Sequence, residues 1–227
     1  MNLILNIDTS AAVATVTIAA NGVVLAEAVN TDQKDHAAFL QPAIQSLLRS
    51  ASCNLNDLAA IAVNYGPGSY TGIRVGMSSA KGLCYALNKP LIVLNALEIL
   101  AKDVIDNQEA VLPEPNLYCP MIDARRMEVY TGIYNHQLEV ILSPIALILD
   151  DPNSVNILLK NNVMFFGSGA AKWQHLSGYK NTQFPTVKNT ALAMSCLSFD
   201  KCKKQQFADL IYTQPLYIKE FYTAHNV

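Results

Sequence analysis

The block Gly66-Pro67-Gly68-Ser69-Tyr70-Thr71-Gly72-Ile73-Arg74-Val75-Gly76 limits the folds open to this chain more than any other stretch. It closes an apolar run over residues 58–65 that reads as a buried strand, and it opens a run of helical period lasting to about Leu87. Two glycines around a proline supply a tight turn that a β-carbon would obstruct. Ser69 and Thr71 stand where hydroxyls cap the free N–H groups of a new helix. A loop of this kind at a helix start can cradle an anion through Gly68, Ser69 and Thr71. It serves equally as an ordinary strand-to-helix turn.

The helix that follows carries an unusually wide apolar arc. At 100° per residue, Ile73, Met77, Ala80, Cys84 and Leu87 share one face, and Gly72, Gly76, Ser79, Leu83 and Ala86 extend it through mostly small residues. The polar remainder, Arg74, Ser78, Lys81 and Tyr85, is narrow. Such an arc exceeds what one side of a core requires. Either the helix is buried on two sides within its own domain, or it covers its own sheet and also meets a partner chain.

The rest of the chain reads as one layout used twice. Residues 3–7 form a buried strand ending at Asp8-Thr9-Ser10, and strands over 13–20 and 23–29 meet at the hairpin turn Asn21-Gly22. A helix is expected over 35–51, with Pro42 kinking it or marking a late start. After the glycine block come a short strand at 91–94 and a helix at 96–105. The order βββαβαβα implies an α/β fold with a sheet of mixed direction. Residues 109–116, with two prolines, read as a joint between an N-terminal lobe, 1–108, and a smaller C-terminal lobe, 109–227. Beyond it, residues 117–123 again end a strand in Asp, and strands at 128–134 and 138–142 repeat the opening meander. Asp8 and Asp123 lie 115 positions apart, as do Ile18 and Ile133 (123 − 8 = 133 − 18). Helices at 154–160, 170–176 and 189–197, a strand at 163–166 and an extended tail over 208–222 complete the reading.

Composition closes off several classes. An apolar fraction of 51% with 15% charged residues describes a globular protein, and no apolar run is long enough for a membrane span. Five cysteines without a CxxC read as reduced core thiols of a cytoplasmic protein. A net charge of −2 gives no global field for gripping a nucleic acid, so any RNA would be held mainly by something else.

Strands ending in Asp and followed by small hydroxylated residues recur in both halves of actin-like ATPases and sugar kinases, where acids hold Mg²⁺ and turns carry phosphates. Asp8, Thr9 and Ser10 fit that pattern loosely, without the glycine that lets backbone meet phosphate; Asp123, followed by Ala124-Arg125-Arg126, fits it less well. Both acids equally suit the satisfaction of turn amides. The four histidines are scattered with neither HxxxH nor HExxH, and His36 reads as a surface or capping residue, so no metal site is expected. Gly68-Ser69-Tyr70-Thr71-Gly72 does not follow the G-x-S-x-G order of a nucleophilic serine. Arg125-Arg126 and Lys201, Lys203 and Lys204 are small basic clusters, either solvated or placed against a phosphate backbone.

Residues 5–10, His36 ahead of Leu40-Gln41-Pro42, the block from Asn64 to Gly76, Ala80-Lys81-Gly82-Leu83, and Ile122-Asp123-Ala124-Arg125 with Glu128-Val129-Tyr130 occur in family-like order and spacing. Together they closely resemble the bacterial TsaB (YeaZ) family. That resemblance implies an actin-like (ASKHA, ribonuclease H-like) fold of two related lobes, with mixed sheets flanked by helices. It implies a non-catalytic subunit of the machinery that places threonylcarbamoyl on N6 of adenosine 37 in tRNAs reading ANN codons. The expected partners are a TsaD-type catalytic subunit, which carries the HxxxH metal motif, and a TsaE-type ATPase; tRNA is reached indirectly. No cofactor is expected on this chain, ATP and a metal ion belonging to the partners. Family members pair through the first two long helices, with themselves as a homodimer or with the catalytic paralogue. Carried onto this chain, that seam comprises His36, Phe39, Leu40, Ala43 and Leu47 with Gly72, Ile73, Gly76, Met77, Ala80 and Leu83. On this reading Gly76→Leu or Ala80→Arg breaks pairing in a folded chain. The rival reading is a nucleotide-dependent phosphotransferase or ATPase with Asp8 and Asp123 on Mg²⁺. A self-sufficient metallopeptidase is disfavoured by the missing metal motif.

Overall fold

A computed structural model describes residues 2–107, 116–151, 158, 162–177 and 183–219. Its first sheet is built from β1 (Leu3–Asp8), β2 (Ala14–Ala20), β3 (Val23–Asn30), β4 (Leu58–Gly66) and β5 (Leu91–Asn95), in the order β3-β2-β1-β4-β5. β1, β2 and β3 pair antiparallel, and β4 and β5 join parallel. Asn21 and Gly22, at φ 51° and 86°, make the tight hairpin that the dipeptide predicts. α1 (His36–Ser50) and α2 (Tyr70–Leu87) flank the two β-additions, and α3 (Ala96–Asp106) follows β5.

The second sheet repeats this plan. β6 (Asn116–Asp123), β7 (Glu128–Tyr134), β8 (Val140–Ile148) and β9 (Asn162–Phe166) take the order β8-β7-β6-β9. β6, β7 and β8 pair antiparallel, and β9 joins β6 parallel. Strand for strand, this is the order β3-β2-β1-β4 of the first sheet, with Asp8 and Asp123 at equivalent strand ends. α4 (Ala170–Ser177) follows β9, as α2 follows β4, and α5 (Thr190–Lys203) closes the helical part.

Alternation along the strands sends side chains to opposite faces, so each sheet has two cores. Leu5, Ile7, Val16, Ile61 and Val63 meet Leu40, Ile44, Leu47, Met77 and Ala80 of α1 and α2. On the opposite face Ile4, Ala60, Ala62, Ile92 and Leu94 meet Ile99 of α3 and Met194 and Leu197 of α5. α3 is shared between the sheets: its Leu97, Ala101 and Val104 pack on Tyr118, Tyr134, Met164 and Phe166. The far face of the second sheet is closed by Trp173 of α4 against Phe165, Met121 and Val129. No helix among the described residues is long and apolar enough to cross a membrane.

Three expectations change in detail. α1 starts at His36 and runs through Pro42 to Ser50, so Pro42 does not mark a late start. Pro42 and Ala38 both lie on the exposed side, where water can serve the carbonyl that Pro42 leaves without a donor. β8 begins at Val140, because Leu138 sits in a turn at φ 62° under the Asn135 side chain, and it continues through Pro144 to Ile148. Proline is tolerated there because β8 is an edge strand. α5 runs six residues past Leu197 to Lys203. Burial of Ala191, Ala193, Met194, Ser195, Leu197 and Ser198 spreads around that helix, so no single stripe marks its length. Of the expected joint at 109–116 only Asn116 is described, as the first residue of β6; most of the expected helix at 154–160 and residues 220–222 of the expected tail lie outside the described residues.

Candidate functional site

A cleft of about 1060 Å³ opens between the carboxyl ends of the two sheets. Asp8, Ser10, Gly68, Ser69, Thr71 and Asp123 all line it. Of the seven residues expected to contact an anion, only Thr9 lies elsewhere, fully buried, with its hydroxyl donating to the Gly72 carbonyl at 2.6 Å.

The Asp8 carboxylate is held by its own chain. Oδ1 accepts the Ser10 amide at 2.9 Å and the Ser10 hydroxyl at 2.7 Å. Oδ2 accepts Asn64 Nδ2 at 2.9 Å, and that same amide lies 2.8 Å from Ser10 Oγ. Asn64, which sequence reasoning passed over as part of a strand end, is 2% exposed and also accepts the Gly66 amide. Its place at the head of the Asn64–Gly76 block was its signal in the sequence.

The glycine block is explained by packing. A β-carbon on Gly72 would lie 1.9 Å from the Thr9 carbonyl oxygen, and one on Gly68 would lie 2.4 Å from that of Ser10. The start of α2 is therefore pressed onto the loop after β1, a close approach that only glycine permits. Two amides there have internal partners: Ser69 N–H donates to the Ser10 carbonyl at 2.7 Å, and Gly72 N–H to the capping Ser69 hydroxyl at 3.3 Å.

In the second half, Asp123 Oδ1 accepts Lys172 Nζ at 2.7 Å and the Arg125 amide at 2.6 Å, while the Ser168 hydroxyl accepts the Asp123 amide. Partial burial pushes the Asp123 carboxyl up, but the Lys172 hydrogen bond, the Arg125 amide and the Lys172 charge outweigh it and hold it below the usual carboxylate range. Gly167-Ser168-Gly169 thus serves as the turn into α4. Among the described residues no three His, Cys, Asp or Glu side chains converge to hold a metal ion.

The residues expected at a partner seam are mostly interior, which corrects their placement. Of the eleven, only Phe39 and Leu83 are partly exposed; the other nine are buried. A β-carbon on Gly76 would meet Thr9 Oγ1 at 2.5 Å, and Ala80 is fully buried, so the small-residue stripe faces the chain's own sheet. The excess apolar width of α2 is consumed by the sheet, by α1, and by Ala208 and Leu210 of the tail. Gly76→Leu and Ala80→Arg would therefore disrupt the fold itself. His36 is likewise interior, at 3% exposure: its Nε2 donates to the Ala11 carbonyl at 3.1 Å, pinning the loop after β1. The outward face of the pair instead presents Ala38, Gln41, Pro42 and Gln45 of α1 with Ser78, Gly82, Tyr85 and Ala86 of α2.

The tail, expected as extended structure, returns over α2 and the end of β4; the partners that it finds there left no signal in the sequence. Lys81 Nζ donates to the carbonyls of Ile211 and Thr213, and the Leu216 amide donates to the Tyr65 carbonyl at 2.8 Å. Arg74 lies 3.9 Å from the Tyr70 ring centre and donates to the Tyr217 hydroxyl at 2.9 Å. Lys219 then pairs with Glu128 at the start of β7. Buried Asp103 of α3 fixes the opposite cleft wall by accepting the Lys188 and Asn189 amides, both at 2.7 Å.

Two halves of one topology around such a cleft are matched by known proteins. The family model described as TsaD, tRNA N6-adenosine threonylcarbamoyltransferase, matches residues 23–217. The chain belongs to this family. Within it, the tRNA threonylcarbamoyladenosine biosynthesis protein TsaB of Bacillus subtilis is 37% identical over 59% of this chain and 56% of its own length. TsaB of Haemophilus influenzae is 25% identical over 82% of this chain and 81% of its own. The chain spans about half the length of the first curated relatives that it matches. YeaZ of Pseudomonas aeruginosa superposes over 96% of this chain and 100% of its own, with a TM-score of 0.76 at 23% identity. The fold is the actin-like, ribonuclease H-like one expected from the TsaB/YeaZ resemblance.

Proposed function

We propose that this chain acts in tRNA N6-threonylcarbamoyladenosine formation as an accessory subunit that pairs with a TsaD-type catalytic partner and performs no chemistry in its own cleft. The observation that carries this reading is the state of the two acids. An actin-like phosphotransferase needs both strand-end carboxylates turned to Mg²⁺. Here Asp8 is clamped by Ser10 and Asn64, and Asp123 is neutralised by Lys172. The glycine loop, whose amides would otherwise point at phosphate, is packed onto Thr9 and Ser10.

Pairing is assigned to the outward face of α1 and α2. Its small side chains permit close approach of a partner helix, and Tyr85, 83% exposed, is of the residue type that anchors interfaces. ATP and metal belong to the catalytic partner and to a TsaE-type ATPase, and a homodimer through the same face is the alternative state of the free chain.

Ala38→Arg and Ser78→Arg, both at exposed positions, test the placement. Each should abolish co-purification with the TsaD-type subunit while leaving the melting temperature unchanged. Undiminished complex formation by both variants would overturn this interface.

A further inference from the structure

The hairpin between β6 and β7 carries an arginine pair in an unfavourable backbone conformation. Arg125 has φ 68° and Arg126 φ 48°. Both lie in the left-handed region, where a β-carbon is disfavoured and where hairpins prefer Asn-Gly. Both side chains are exposed, and Arg125 lines the rim of the cleft. The neighbouring acids are already engaged: Asp123 with Lys172, and Glu128 with Lys219. Among the described residues no carboxylate pairs with either guanidinium. The tip of this hairpin thus presents two arginine charges on a chain whose net charge is −2.

From this geometry we propose that Arg125 and Arg126 form a phosphate-contact site for the RNA backbone. The inference rests on the proposed role in tRNA modification and deepens it, adding a direct contact to a chain whose hold on tRNA otherwise comes from its partners. Guanidinium forks suit phosphate oxygens. Arg126 stands outside the cleft lining, so the pair addresses a strand running across the rim rather than one nucleotide lodged inside. Strain retained at an exposed tip is the pattern of a local conformation kept for function.

The test compares the assembled complex containing the wild-type chain with one containing Arg125→Asn/Arg126→Gly, a double change that installs the favoured turn. The probe is an unmodified tRNA transcript titrated at several salt concentrations. Loss of two phosphate contacts should reduce the slope of log K against log salt by about 1.4 to 1.8. Relief of the left-handed strain should raise the melting temperature of the isolated chain by about 2 to 4 °C. Weaker RNA binding with a more stable fold is a combination that a purely structural hairpin does not give. Arg125→Lys/Arg126→Lys should keep most of the slope.

An unchanged slope in the Asn/Gly variant overturns the inference, as does a defect confined to ATP binding. These outcomes are separable from failure of the underlying reading. If omitting the chain leaves transfer undiminished, the accessory role falls. If the chain is required but the Asn/Gly variant binds tRNA with the wild-type slope, only the phosphate contact falls.

Discussion

Lys172 Nζ stands 2.7 Å from Asp123 Oδ1, placing a cation beside the strand-end acid that an actin-like phosphotransferase would turn to a metal. Both side chains are partly open to water, so the pair's value lies in occupying the carboxylate rather than in stability. Removing the cation by Lys172→Met should raise the Asp123 pKa, read by NMR titration of its side-chain carboxyl. The sign follows from the folded-state value being lowered. Its contribution is present above the ordinary carboxyl range and lost as pH falls through the folded value. The variant should therefore show a shallower loss of stability on acidification. An unchanged or lowered Asp123 pKa would contradict this reading.

Two glycines of α2 should respond in opposite directions to the same substitution. Gly72→Ala places a β-carbon 1.9 Å from a backbone carbonyl and should cost about 3 kcal/mol or prevent folding. Gly82→Ala, at an exposed position with nothing within 4 Å, should stabilise α2 by about 1 kcal/mol. Urea midpoints of the two variants decide the matter. Equal effects would mean that the glycine block is not dictated by close packing on β1.

Asn64 ties Asp8 to Ser10 across the end of the first sheet. Asn64→Ala leaves these polar groups without their shared donor and should destabilise by about 2 kcal/mol in urea unfolding. A neutral outcome would show that the Asp8 clamp is held by Ser10 alone.

Wherever local pattern determines local structure, the fold could be read from the chain: the Asn21-Gly22 hairpin and the two strands ending in Asp. The 115-residue offset does not hold across both strands of each half, since Asp8 pairs with Thr15 but Asp123 with Val129. The candidate acids were legible for the same reason. The inward orientation of Gly72, Gly76 and Ala80 was not, because a stripe of small residues looks the same whether it meets a sheet or another helix. Pairings across long separations, such as Lys172 with Asp123, Arg74 with Tyr217 and Asp103 with the 188–189 amides, leave no periodic signal. α5 escaped its full length because it is buried around much of its circumference.

Burial pushes the Cys84 and Cys119 thiols up to about 12 from an ordinary value of 9.0. Maleimide labelling at pH 8 should therefore spare both, while partly exposed Cys53, Cys196 and Cys202 react first. Because the folded values are raised, the associated stability is complete below pH 9.0 and is lost as pH climbs towards 12. Rapid labelling of Cys84 in the native protein would contradict the buried placement of α2.

The most direct test of an accessory role without chemistry of its own is threonylcarbamoyl transfer to tRNA in a reconstituted mixture. The chain would be present, omitted, or replaced by Asp123→Asn. The account predicts that transfer disappears on omission and stays within about twofold of wild type with the variant. Transfer that continues undiminished without the chain, or that is abolished by Asp123→Asn in a normally folded protein, would contradict it.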